Sequence, residues 1–116
     1  MCKFIKDLKE KDFGEKCDGG HLSEYRQFET NRINPNLWLS IQASYAHYCT
    51  PRTTYRDDLE IYTHWEFALF DKDEFRSVAE VLPEFAALDE IQFYFDGSVY
   101  SYVPKDLVEQ LYLALK

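Results

Sequence analysis

Leu37-Trp38-Leu39-Ser40-Ile41-Gln42-Ala43-Ser44-Tyr45 alternates along its length, with Leu37, Leu39, Ile41, Ala43 and Tyr45 on one side. Trp38, Ser40, Gln42 and Ser44 fall on the other. A period of two belongs to a strand that buries one face. The expected strand covers residues 37–49 with its odd positions inward, and Thr50-Pro51-Arg52-Thr53-Thr54 ends it. Immediately upstream, Asn34-Pro35-Asn36 is a turn signal, because proline fixes φ and asparagine tolerates unusual backbone angles. Before the turn the period changes. Phe4, Ile5 and Leu8 predict a helix over 2–13, with Gly14 as its stop and Cys17-Asp18-Gly19-Gly20 as a break. Leu22, Tyr25, Phe28 and Glu29 predict a second helix.

Downstream, residues 59–70 read as a second strand, with Leu59, Ile61, Trp65, Phe67 and Leu69 on one face and Glu60, Tyr62, His64 and Glu66 on the other. Asp71 with Glu74 reads as a capping box ahead of the stripe Phe75, Val78, Ala79 and Leu82. Pro83 ends that helix or starts a short one through Leu88. The runs 91–95 and 99–103 flank Asp96-Gly97-Ser98, and Asp-Gly between alternating apolar runs is a strong hairpin signal. Pro104 opens a last helix with Leu107, Val108, Leu111 and Leu115 on one face.

The order α-α-β-β-α-β-β-α predicts an α+β fold: a four-stranded antiparallel sheet with helices packed on one face, a two-layer sandwich. The 116 residues fit a single domain. Residues 1–33 form its N-terminal helical segment, and 34–116 carry the sheet and two further helical segments.

Charge is distributed unevenly. Residues 1–52 hold 8 Lys and Arg against 7 Asp and Glu, whereas residues 53–116 hold 5 against 14, a net of −9. Such a field repels nucleic acid and anionic membrane and attracts basic proteins. Aromatics make up 17% of the chain, with nine Phe, nine Tyr and two Trp, more than one small core requires. Tyr and Trp are favoured at binding surfaces, where one end of the ring is apolar and the other wet.

An antiparallel sheet can leave one face wet. The predicted wet face displays Trp38, Gln42, Ser44, Tyr48, Tyr62, His64, Glu66, Gln92, Tyr94, Tyr100 and Tyr102. From it the candidate partner-binding residues are Trp38, Gln42, Tyr48, Tyr62, His64, Glu66, Tyr94, Tyr100 and Tyr102, joined by Asp96 at the hairpin tip. Helices covering both faces, or aromatic pairs closing over one another, would account for the same residues without a partner.

Catalytic and metal signatures are weak. His47 and Cys49 lie two apart on a strand and so point the same way, and His64 falls on the neighbouring strand. They form a conceivable thiol or metal site, as do Cys17 and His21 at a spacing of four. No Cys-x-x-Cys pair, Walker loop, Gly-x-Gly-x-x-Gly, His-Glu-x-x-His, EF-hand loop or Gly-x-Ser-x-Gly occurs. No cofactor, metal or catalytic residue is therefore expected. The odd, scattered cysteines Cys2, Cys17 and Cys49 read as free thiols in a reducing compartment. The N-terminus lacks the apolar stretch of a signal peptide, and cytoplasmic residence follows as the expectation.

The stretch Asn34-Pro35-Asn36-Leu37-Trp38-Leu39-Ser40-Ile41-Gln42-Ala43-Ser44, with His47-Tyr48-Cys49-Thr50-Pro51-Arg52, resembles small proteins encoded by bacteriophages and prophages. So do the segments Tyr62-Thr63-His64-Trp65-Glu66-Phe67-Ala68-Leu69-Phe70 and Val99-Tyr100-Ser101-Tyr102-Val103-Pro104. The likeness covers most of residues 33–112 and supplies no catalytic residues. In general character the chain is similar to anti-CRISPR proteins, which are small, acidic and free of enzyme motifs. That resemblance implies an inhibitor, inside a bacterial host cell, that binds a Cas effector or other nucleic-acid-handling defence protein, with no direct contact to nucleic acid or membrane. The alternatives are a self-associating accessory phage protein, with the aromatic face as its homodimer interface, and a small metal or thiol enzyme using His47, Cys49 and His64.

Overall fold

The hairpin at Asn34-Pro35-Asn36 organises one side of the sheet. The Asn34 side-chain oxygen accepts hydrogen bonds from the backbone N–H groups of Asn36 and Leu37, both at 2.9 Å. This folds β1 (Asn31–Asn34) back antiparallel on β2 (Leu37–Gln42). A strand therefore lies where only the run-out of a helix was expected. The computed structural model describes residues 2–10, 27–55, 58–72 and 74–116. Most of the expected helix at 22–29, together with Cys17 and His21, lies outside the described residues.

β2 pairs with β3 (His64–Asp71) in a register that matches apolar to apolar. Leu39 faces Leu69 and Ile41 faces Phe67 on the core side, while Trp38 faces Phe70 and Gln42 faces Glu66 on the other. The far edge of β3 is shared. β4 (Glu74–Arg76) pairs with its Leu69–Asp71 end, and β5 (Tyr100–Pro104) pairs with its His64–Phe67 end. The result is an open antiparallel sheet of five strands, not four, within the expected α+β class.

Three other expectations change. The strand expected over 37–49 ends at Gln42, because Ser44 accepts from Ala46 N on its hydroxyl at 3.1 Å and from His47 N on its carbonyl at 3.3 Å, which turns the chain and leaves Tyr45 exposed, not inward. Residues 59–61 form a 3₁₀ turn, not the start of β3, because the Asp58 carboxylate accepts from Glu60 N at 3.0 Å and caps it. This shifts the period, so that Ile61 is exposed and Tyr62 is buried. Asp71 is not a helix cap. It pairs with Glu74 across a tight turn in which Lys72 takes φ 53°. The capping box lies six residues later. Ser77 Oγ accepts from Glu80 N at 3.2 Å and Glu80 Oε1 accepts from Ser77 N at 2.9 Å, opening α2 (Val78–Val81).

Residues 91–95 also differ. They belong to α3 (Leu88–Gln92) and the turn behind it, and only Phe95 bridges to Tyr100. A short apolar run suits either structure by pattern alone. Here Leu88 and Ile91, one helical turn apart, both reach the core. The Asp96-Gly97 turn itself forms: Gly97 has φ 107°, and Asp96 Oδ1 accepts from Ser98 N and Val99 N at 3.1 and 3.0 Å. A side chain at Gly97 would be strained by that φ.

α4 (Lys105–Leu115) follows Pro104 directly and buries Leu107, Val108, Leu111 and Tyr112. It lies against β3 and β5 and holds α1 (Lys3–Asp7). Cys2 offers α1 no side-chain cap; instead Glu109 of α4 accepts from Lys3 N and Phe4 N at 2.9 and 3.1 Å. Phe4 then meets Trp65 edge-on at 5.1 Å, and Tyr112 donates to Asp7 Oδ2 at 2.6 Å. Burial pushes the Tyr112 phenol well above its ordinary range, and the Asp7 bond adds to this. No helix among the described residues is long and apolar enough to cross a membrane.

Candidate partner-binding surface

β5 carries a bulge that decides which tyrosines meet solvent. Trp65 pairs with Val103 and Phe67 pairs with Tyr100, so Ser101 and Tyr102 together oppose Glu66 alone. Two residues against one breaks the alternation and bends the strand. Tyr102 adopts φ 55°, which a non-glycine residue seldom takes. The bulge turns Tyr100 inward and Tyr102 outward. Tyr100 stacks on Phe67 with ring centroids 4.3 Å apart, accepts from Val78 N at 2.7 Å and donates to Gln92 Oε1.

Tyr102 meets Tyr48. Its N–H donates to Tyr48 O at 3.1 Å, and the two rings lie tilted with centroids 5.8 Å apart. Both remain open to solvent, at 42% for Tyr48 and 40% for Tyr102. Tyr48 N donates to Glu66 Oε2 at 3.3 Å, and the Arg52 guanidinium sits 4.9 Å from the Tyr48 ring centre. Burial raises the Glu66 carboxyl above its usual range against the Tyr48 N–H bond, and the nearby Asp96 charge adds to the rise while Arg52 opposes it. Asp96 is held low by the backbone N–H groups of its own turn. The arrangement is a pair of exposed phenols beside two carboxylates, with one guanidinium stacked on a ring.

Four of the ten candidate residues therefore gather here: Tyr48, Glu66, Asp96 and Tyr102. The others are dispersed. Tyr100 is buried because of the bulge, and Tyr62 because the loop at 53–55 is tied to it, its hydroxyl donating to Thr53 O at 2.5 Å and accepting from Tyr55 N at 2.7 Å. Gln42 is buried by use: its amide donates to Phe28 O and accepts from Phe28 N at 2.9 and 2.7 Å. Ser44, also expected to be wet, is fully buried and bonded to His47 Nδ1 at 2.6 Å. These four side chains are corrections to the predicted wet face. Trp38 is exposed beneath Arg32, but lies four residues along β2 from Gln42, a separation of about 13 Å. His64 is half-buried against Thr63 Oγ1, and Tyr94 is half-buried beside α4. Arg52 had no marker in the sequence, because its contact with Tyr48 four residues earlier is made within irregular chain that has no period.

The thiol and imidazole residues do not assemble. Cys49 is 1% exposed, and its thiol donates to Ser44 O and Pro51 O at 3.2 and 3.3 Å. His47 and His64 each turn a ring nitrogen to a neighbouring hydroxyl. Among the described residues, no group of three or more His, Cys, Asp or Glu could hold a metal ion.

Comparison with known proteins adds no relative: no protein-family model, curated protein or solved structure matches the chain.

Proposed function

We propose that this chain is a binding protein that inhibits a host nucleic-acid-handling defence protein, of the anti-CRISPR kind, by covering a positively charged surface on it. The observation that carries the reading is the bulge opposite Glu66, which places Tyr102 outward beside Tyr48 at the edge of the acidic half. Rigid tyrosines supply apolar contact area at low entropic cost, and carboxylates around them select a cationic counterpart. Glu84, Asp89, Glu90, Asp96 and Asp106 have no ion-pair partner among the described residues, so their charge is available to a partner. The choice of a defence protein follows the resemblance to phage proteins read from the sequence of residues 33–112.

The test is capture of purified Cas effector complexes by tagged protein at low and moderately high salt. Capture of at least one effector, weakened by salt and by Tyr102→Ala, supports the reading. Failure to capture any effector, or capture indifferent to both salt and Tyr102→Ala, overturns it.

A further inference from the structure

α3 and α4 leave a groove of about 520 Å³ between them, remote in sequence from β2 and its loops. Its floor is apolar, with Tyr94, Pro104 and Leu107, and Phe93 stands at its edge. Phe93 is 82% exposed, the most exposed large apolar side chain among the described residues. It holds its position edge-on against Tyr94, with ring centroids 5.2 Å apart. Three carboxylates surround these rings: Asp89 and Glu90 in the first turn of α3, and Asp106 in the first turn of α4. None is paired with a cation among the described residues. Lys105, adjacent to Asp106, is committed elsewhere, its ammonium 3.1 Å from Glu60.

We infer that this groove receives an arginine side chain from a basic polypeptide segment. The reading rests on the basic partner proposed above and names the feature of that partner which the groove recognises. A guanidinium is planar, stacks on aromatic faces and forks to carboxylates, so one group satisfies both the rings and the rim. Lysine offers a compact, strongly hydrated charge that stacks less well. A neutral apolar occupant would strip water from three carboxylates without pairing them. A second copy of this chain would bring its own net charge of −8 against the same rim.

The test is an amide-resolved NMR titration of the full chain at low salt with two capped peptides, alternating arginine with alanine and lysine with alanine. The expected result is tighter binding of the arginine peptide, with shifts concentrated at α3, Phe93, Tyr94 and the first turn of α4. Phe93→Ala should weaken that binding about two- to fivefold, and its exposed position keeps the core intact. Asp106→Asn, a second surface change, should weaken it while leaving the arginine preference in place. Shifts centred on Tyr48 and Tyr102, or scattered over every carboxylate, would overturn the groove and leave the basic-partner reading standing. Equal binding of the two peptides, unaffected by Phe93→Ala, would also overturn the groove. No shift with either peptide would overturn both.

Discussion

Replacing Tyr100 by phenylalanine removes one oxygen atom and tests how β5 is built. The ring would still stack on Phe67, so the loss is confined to the hydroxyl. That hydroxyl accepts from Val78 N at 2.7 Å and donates to Gln92 Oε1, tying α2 and α3 to the sheet. Val78 is fully buried and its N–H would be left without an acceptor, whereas half-buried Gln92 can turn towards water. An orphaned buried donor costs about 1–3 kcal/mol, and the bond itself is worth about 1 kcal/mol. The variant should therefore lose about 2–3 kcal/mol. In urea, with a slope of about 1.5 kcal/mol/M, the midpoint should fall by about 1.5 M at constant slope. Tyr102→Phe is the control, because that hydroxyl is on the exposed side of the bulge, and it should stay within about 0.5 kcal/mol of the parent. Equal losses for the two variants, or a Tyr100→Phe loss below about 0.5 kcal/mol, would refute the bulge as the device that sorts these tyrosines.

Other perturbations separate the remaining elements. Ser77→Ala removes the acceptor that opens α2 and should cost about 1 kcal/mol in thermal or urea unfolding, whereas Asp71→Ala should leave α2 capped. Trp65 is fully buried and Trp38 is 37% exposed, so acrylamide should quench only part of the fluorescence, and Trp38→Phe should leave a blue-shifted, quench-resistant emission. Glu66 is raised above its usual range chiefly by burial, so the folded state holds its proton to higher pH than the unfolded chain does. Its stabilising contribution is present below the folded value and falls as pH rises from about 4.3 through that value. Glu66→Gln, which keeps an acceptor for Tyr48 N–H, should be more stable than the parent at neutral pH, with the advantage gone below about pH 4. A constant advantage at all pH values would argue against a perturbed carboxyl.

The elements most legible in the sequence are those whose pattern is long and whose ends are marked. The first six residues of the strand expected over 37–49 needed only their alternation, and α4 needed only Pro104 and the spacing of Leu107, Val108 and Leu111. Where two signals of the same kind compete, pattern alone does not choose. Asp71 with Glu74 and Ser77 with Glu80 share one capping signature, and pairing of Phe75 with Phe70 across the turn gives the helix to the second. β1 has a single apolar residue, Ile33, and is formed by the Asn34 turn, not by periodicity. The candidate surface was half legible for a related reason. Glu66 follows from the alternation of β3 and Asp96 from the Asp-Gly turn, whereas Tyr48 is exposed in the turn behind β2 and Tyr102 by the bulge. Tyr100 is not legible, because a bulge is a relation between two strands and leaves no mark on one. Tyr62 and Gln42 were displaced by hydrogen bonds to backbone of irregular segments seven to fourteen residues away, which alternation does not register.

The most direct test of the account measures affinity for a captured defence effector as a function of salt, for the parent chain, Asp96→Asn and Tyr102→Ala. Binding should weaken steadily as salt rises, Asp96→Asn should lower the salt dependence, and Tyr102→Ala should weaken binding at every salt concentration. Affinity that does not change with salt, and is the same in all three proteins, would contradict the account.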